Sequence, residues 1–178
     1  MRTLYAFITV LFLSAAPAAF ATCTPGGFFN LFYNHLANSG PAVDDCWNPS
    51  NATFTSDYVC GTTVNGYTFG YGGNISQQVT IPSGWTTKTN FQLAYELDFN
   101  DPNNSSYNQL QVSVYDLTTF TSLGTDFYNG TYSDITCTPR TVSFSGNLAG
   151  HTISVSISGS VATSGTVVRV RSIALWQW

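Results

Sequence analysis

Charge is the scarcest property of this sequence. Of its 178 residues only 8% are charged, against roughly 25% in an ordinary domain. Lysine occurs once, at Lys88, and glutamate once, at Glu96. The net charge is −4. A chain this acidic, with so few cations, has nothing to neutralise a phosphate backbone or to lie against an anionic bilayer, so neither nucleic acid nor a membrane surface is an expected partner. Solubility must instead come from Ser, Thr, Asn and Gln.

Other absences narrow the chemistry. The four cysteines contain no C-x₂-C pair, and His35 and His151 sit near no ligand pattern, which argues against zinc. No Gly-x-Ser-x-Gly elbow accompanies either histidine, so a nucleophilic triad is not expected. Glycoside hydrolysis needs two carboxylates about 5–10 Å apart across a cleft. Glu96 and Asp98 share one strand face about 7 Å apart, which permits the geometry, but solvated polar groups are the expected reading and no enzyme is predicted. No segment has a helical period, and no repeat, linker or low-complexity tract divides the chain.

At the N-terminus Arg2 precedes an apolar run, Leu4 to Ala16, too short to span a bilayer, and Ala19-Phe20-Ala21 fits a cleavage site. Residues 1–21 are therefore expected to be a signal peptide, with 22–178 a single exported domain, secreted or periplasmic. All four cysteines follow the cleavage site. An even count in an exported chain implies two disulfides. Three pairings are possible; Cys46 with Cys60 is favoured because it closes a short loop, and Cys23 with Cys137 follows by elimination.

Alternation of period two dominates the remainder. The run Thr89 to Phe99 puts Phe91, Leu93, Tyr95, Leu97 and Phe99 on one face, and five large apolar groups in register must be buried. Ile75 to Ile81, Leu110 to Leu117, Phe120 to Tyr128, Thr138 to Phe144 and the stretch around Ile153, Val155 and Ile157 read likewise as strands. Phe28 to Phe32 is expected to be a first strand and Asn34 to Pro49 a loop. Tyr58 to Cys60 and Tyr67 to Tyr71 read as short strands joined by a tight turn at Asn65-Gly66. In the last strand Val168 and Val170 share a parity that Ile173 and Leu175 then reverse, which predicts a β-bulge near Arg171-Ser172. Many short strands of this kind predict an all-β, antiparallel jelly-roll β-sandwich.

The order Gly-Asn-Ile-Ser-Gln-Gln-Val-Thr-Ile-Pro-Ser-Gly (73–84), Phe-Gln-Leu-Ala-Tyr-Glu-Leu (91–97), Leu-Ala-Gly-His-Thr-Ile-Ser-Val-Ser-Ile-Ser-Gly (148–159) and Val-Arg-Val-Arg-Ser-Ile-Ala-Leu-Trp (168–176) resembles the galactose-binding-like jelly-roll domains, which include many carbohydrate-binding modules. The resemblance implies a non-catalytic protein that binds a glycan or cell-surface polymer. Such domains often carry acidic residues late in the final strand for a structural calcium. Arg171 and Ser172 stand there instead, so no metal or other cofactor is expected. The oxygen-rich run of Asp98, Asn100, Asp101, Asn103 and Asn104 is a second place for calcium, but it lacks the EF-hand glycine and closing glutamate and reads as turn chemistry.

A pyranose has an apolar face and a hydroxyl rim, so its sites combine a ring face with amides or carboxylates. Gln92, Glu96, Gln111 and Tyr115 lie on the outward parity of what read as neighbouring strands, and Trp47 and Trp85 lie in loops, where binding groups concentrate. These six are the candidate ligand contacts. Two rival readings remain: a structural or adhesive surface subunit, and a small outer-membrane barrel. Short runs broken by Asn and Gly weigh against the barrel.

Overall fold

The computed structural model describes residues 47–59 and 62–177, and the side chains of residues 55–65 are left aside. The expected signal peptide, the expected strand Phe28 to Phe32, most of the loop expected before Pro49, and Cys23, Cys46 and Cys60 with both pairings lie outside these residues. Every regular element described is a strand: β1 Asn48–Val59, β2 Thr62–Thr80, β3 Asn90–Asn100, β4 Gln109–Asp116, β5 Thr121–Asn129, β6 Ile135–Ser145, β7 Thr152–Ser160 and β8 Val167–Gln177. All pairings are antiparallel and follow the path β5-β4-β7-β2-β8-β3-β6, with β1 on β2.

One long strand makes two layers from this path. Residues 73–80 of β2 pair with β7, whereas Tyr67 and Thr68 pair with β8. Between them the β1–β2 ribbon turns a corner. Its register shifts between Ser50 and Ala52, where Asn51 takes a φ of 47° and Gly72 a φ of 64°. A bulge of this kind bends the strand and lets it pass from one sheet to the next.

The expected turn at Asn65-Gly66 is not there. Both residues lie inside β2, opposite Ser56 and Thr55 of β1. The glycine serves close approach instead: a Cβ on Gly66 would stand 2.7 Å from the Val170 carbonyl oxygen and 3.1 Å from the Arg171 Cβ. Composition also disguised β1, because Asn48 and Pro49, the end of the expected loop, pair with Ser76 and Ile75 of β2 at an edge of the ribbon, where a proline is tolerated.

The core is the meeting of the two inner faces. Phe91, Leu93, Tyr95, Leu97 and Phe99 of β3 are buried, as their alternation requires. They meet Val112 and Val114 of β4, Ile153, Val155 and Ile157 of β7, and Ile75 of β2. Each such side chain contributes about 1.5–3 kcal/mol on burial. Phe91 stacks on Phe144 with centroids 5.5 Å apart, and Phe99 meets Tyr128 at 5.1 Å. Trp47, expected in a binding loop, belongs to this core, tilted against Tyr67 at 6.4 Å.

The two ends of the path, β5 and β6, face each other across the seam between layers. A polar clasp joins them. Arg140 of β6 donates from Nε and Nη2 to the two Asp126 carboxylate oxygens at 2.7 and 2.6 Å, and the Tyr95 hydroxyl donates to the same carboxylate at 2.6 Å. Burial opposes ionisation of Asp126, but these donors outweigh it and hold the carboxyl below its ordinary range. Burial, reinforced by the carboxylate, pushes the Tyr95 phenol well above its own.

Candidate functional site

Register assembles one outer face from β2, β7, β4 and β5. Gln78 stands opposite Ser154, Ser154 opposite Tyr115, and Tyr115 opposite Ser122. The next row is Ser76, Ser156, Ser113 and Thr125; the third is Asn74, Ser158, Gln111 and Phe127. These are the outward positions of strands whose other face is core, and none of them carries a charge. The face presents hydroxyls, amides and two aromatic rings. Asn74 donates to Ser156 Oγ at 2.7 Å and Ser158 Oγ at 2.8 Å, which fixes one corner. Tyr115 is 37% exposed and Phe127 44%. The Tyr115 hydroxyl donates to the Phe120 carbonyl at 2.6 Å, which ties the ring to the β4–β5 hairpin.

The opposite outer face, on β3, β8 and β6, is built differently. Glu96 Oε2 accepts from Arg171 Nε at 2.7 Å, and Arg169 lies 3.8 Å from the Asp98 carboxylate. Gln92 donates to Ser143 Oγ at 3.3 Å and stands opposite Trp176. The predicted bulge is here: register shifts between Ala94 and Glu96, with Ser172 at a φ of 51°. It turns Arg171 into a buried position against Glu96.

The six expected ligand contacts are therefore dispersed. Gln111 and Tyr115 share the neutral face. Gln92 and Glu96 lie on the opposite one, because β3 neighbours β6 and β8 and is not beside β4. Trp47 is core. Trp85 is half-buried in the turn after β2, packed against the core, with its backbone N–H donating to the Pro82 carbonyl at 3.0 Å. Phe127, Gln78 and Ser154 join the neutral face without having been singled out; their outward parity was visible, but the strand order that gathers them was not.

The oxygen-rich loop after β3 is a hydrogen-bonded turn. Asp101, buried, accepts from the Asn103 N–H at 3.1 Å, the Ser105 N–H at 2.7 Å and the Thr166 hydroxyl at 2.9 Å. Its oxygens face donors, which is the wrong polarity of neighbour for a cation site. Among the described residues no cluster of three or more His, Cys, Asp or Glu could hold a metal ion. At the other end of the sandwich, Asp116 closes β4. Its carboxylate accepts from the Thr118 N–H at 2.8 Å and the Thr119 hydroxyl at 2.7 Å, and His151 Nδ1 lies 2.7 Å away. Burial would raise its pKa; the bonds from Thr119, His151 and the Thr118 N–H overcome this and lower it to about 2. His151 thus pins the β6–β7 loop to the β4–β5 hairpin.

No family model and no curated protein matches this chain. Solved structures do, at the level of fold. A family 16 carbohydrate-binding module superposes with a TM-score of 0.53 at 18% identity, covering 82% of this chain and 99% of that one. A putative sugar-binding protein from Bacteroides thetaiotaomicron gives 0.53 at 8% identity, over 84% and 100%. The enzymatically active domain of a tailspike protein from bacteriophage CBA120 gives 0.53 at 10% identity, over 84% and 22%. This chain spans less than a third of the longer solved chains it is similar to. Its fold is an all-β antiparallel sandwich that resembles the jelly rolls of carbohydrate-binding modules.

Proposed function

We propose that this protein is an exported, non-catalytic carbohydrate-binding domain, and that the β2–β7–β4–β5 face is its binding surface. One observation carries the reading: a charge-free platform of hydroxyls and amides with the Tyr115 and Phe127 rings set into it. Neutral donors and acceptors match sugar hydroxyls without the desolvation cost of a charge, and exposed rings match the apolar face of a pyranose. The fold likeness to carbohydrate-binding modules supports the reading as analogy. The absence of catalysis rests on Glu96 and Asp98, each engaged by an arginine and hence poorly suited to act as a free acid and base.

The test is a glycan array followed by calorimetry on the mature chain. Binding is expected, with Tyr115→Ala and Phe127→Ala each weakening it by roughly tenfold or more, the size of a binding hot spot, while thermal stability is retained. No binding to any glycan at millimolar concentration, or binding indifferent to both substitutions, would overturn the proposal.

A further inference from the structure

The β4–β5 hairpin holds a residue that its own fold does not favour. Phe120 ends the four-residue turn after Asp116, with a φ of 57°. In that left-handed region a Cβ meets the backbone, which is why glycine or asparagine is the usual occupant and a bulky side chain is an outlier. Nothing in the core compensates, because Phe120 is 76% exposed. The turn itself is held by other groups: Asp116 accepts from Thr118 and Thr119, the Thr119 and Thr121 hydroxyls lie 2.8 Å apart, and the Thr118 hydroxyl accepts from the Thr152 N–H at 2.9 Å. The aromatic ring is thus unnecessary to the hairpin and unfavourable to its backbone. Its position is also specific, since the Phe120 carbonyl accepts the hydroxyl of Tyr115 at the margin of the neutral face.

We infer that Phe120 is a ligand-contacting residue that extends the neutral face beyond the strands, so that the site takes a sugar chain and not a single sugar. This rests on the proposed carbohydrate-binding reading. The aromatic residues lie along the strand direction. Phe127 stands beside Gln111, four residues from Tyr115 along β4, a separation of about 13 Å at the rise of a strand. Phe120 then lies past Tyr115 at the hairpin end. A single pyranose cannot reach from the first ring to the last; an extended oligosaccharide lying along β4 can. Strain held at an exposed residue is a recurring mark of binding sites.

The experiment compares wild type, Phe120→Gly and Phe120→Asn by melting temperature and by calorimetry with cellohexaose, mannohexaose and xylohexaose and with their monosaccharides. Wild type is expected to bind at least one hexasaccharide far better than its monosaccharide. Both variants are expected to melt no lower than wild type, with Phe120→Asn about 2–4 °C higher as the backbone relaxes, and to bind that hexasaccharide roughly tenfold more weakly. Variants that melt as expected and bind as wild type does would overturn the role of Phe120 and leave the proposed function standing. Variants that melt lower would show a packing role for Phe120 and overturn the inference as well. Wild type that binds none of the hexasaccharides, in a protein that also fails the glycan array, would remove the carbohydrate reading and this inference with it.

Discussion

The two outer faces of this sandwich obey the same alternation and end as opposites. On β3 and β8 the outward charged residues are Glu96, Asp98, Arg169 and, through the bulge, Arg171, and each charge meets one of the other sign. On β2, β7, β4 and β5 the outward residues are neutral, and the carboxylates of these strands, Asp116 and Asp126, point inward to close a hairpin and a seam. Polar strand positions thus have two uses. Where they carry charge, the sheet consumes it in structure. Where they carry hydroxyls and amides, weak mutual ties leave hydrogen-bonding capacity for something else. Scarcity of charge in the sequence is, in the fold, a segregation of charge away from one surface.

Breaking the charged face should cost stability and spare binding. Arg171 is almost wholly buried, while Glu96 keeps a third of its side chain exposed. Removing the acid leaves a guanidinium in a poorly solvated place. A fully buried broken pair costs about 3–5 kcal/mol, and partial exposure reduces this to about 2–3 kcal/mol for Glu96→Ala. Urea denaturation measures the loss, and glycan affinity measured below the transition should match wild type. An affinity loss as large as that of Tyr115→Ala would show that the faces do not divide the work as stated.

The hidden acid under the neutral face should reveal itself by pH. Asp116 titrates at about 2 in the fold against 3.8 for the free side chain. A carboxyl lowered by folding stabilises the native state above its unfolded pKa, and that contribution is lost as pH falls through the folded value. It is therefore complete above about pH 5, fades between about pH 4 and 2, and amounts to about 2 kcal/mol. Asp116→Asn should be less stable at pH 7 and show a correspondingly flatter acid limb in chemical denaturation. Parallel limbs in the two proteins would refute the assignment.

How far the sequence anticipates these faces depends on the range of the interaction concerned. The alternation on β3 needs only neighbouring residues, and it was legible. So was the bulge, because the parity reversal from Val170 to Ile173 is written in the strand itself. Gly66 misled, because a glycine for close approach and a glycine for a turn look alike without the β8 strand that approaches it. The neutral face was half legible for the same reason. Outward parity identified Gln92, Glu96, Gln111 and Tyr115 as exposed-face residues, but which of them share a face is decided by strand order, set by pairings between residues far apart in the chain. His151 and Asp116, 35 residues apart, are partners on the same terms.

Trp176 gives the smallest expected effect and the sharpest discrimination. It is 40% exposed on β8, opposite Gln92, and by residue type alone it is the most attractive exposed sugar-stacking ring among the described residues. Its surroundings argue otherwise. The next cross-strand pair along is Ala94 with Ala174, beyond the bulge comes the Glu96–Arg171 pair, and the amide opposite the ring, Gln92, is already bonded to Ser143 Oγ at 3.3 Å, so a single ring stands beside an engaged amide and an ion pair. Trp176→Ala should therefore change glycan affinity by less than about twofold, measured by calorimetry below its unfolding transition. If it abolished binding while Tyr115→Ala did not, the charged face would be the binding face, and the neutral one would owe its lack of charge to some other contact.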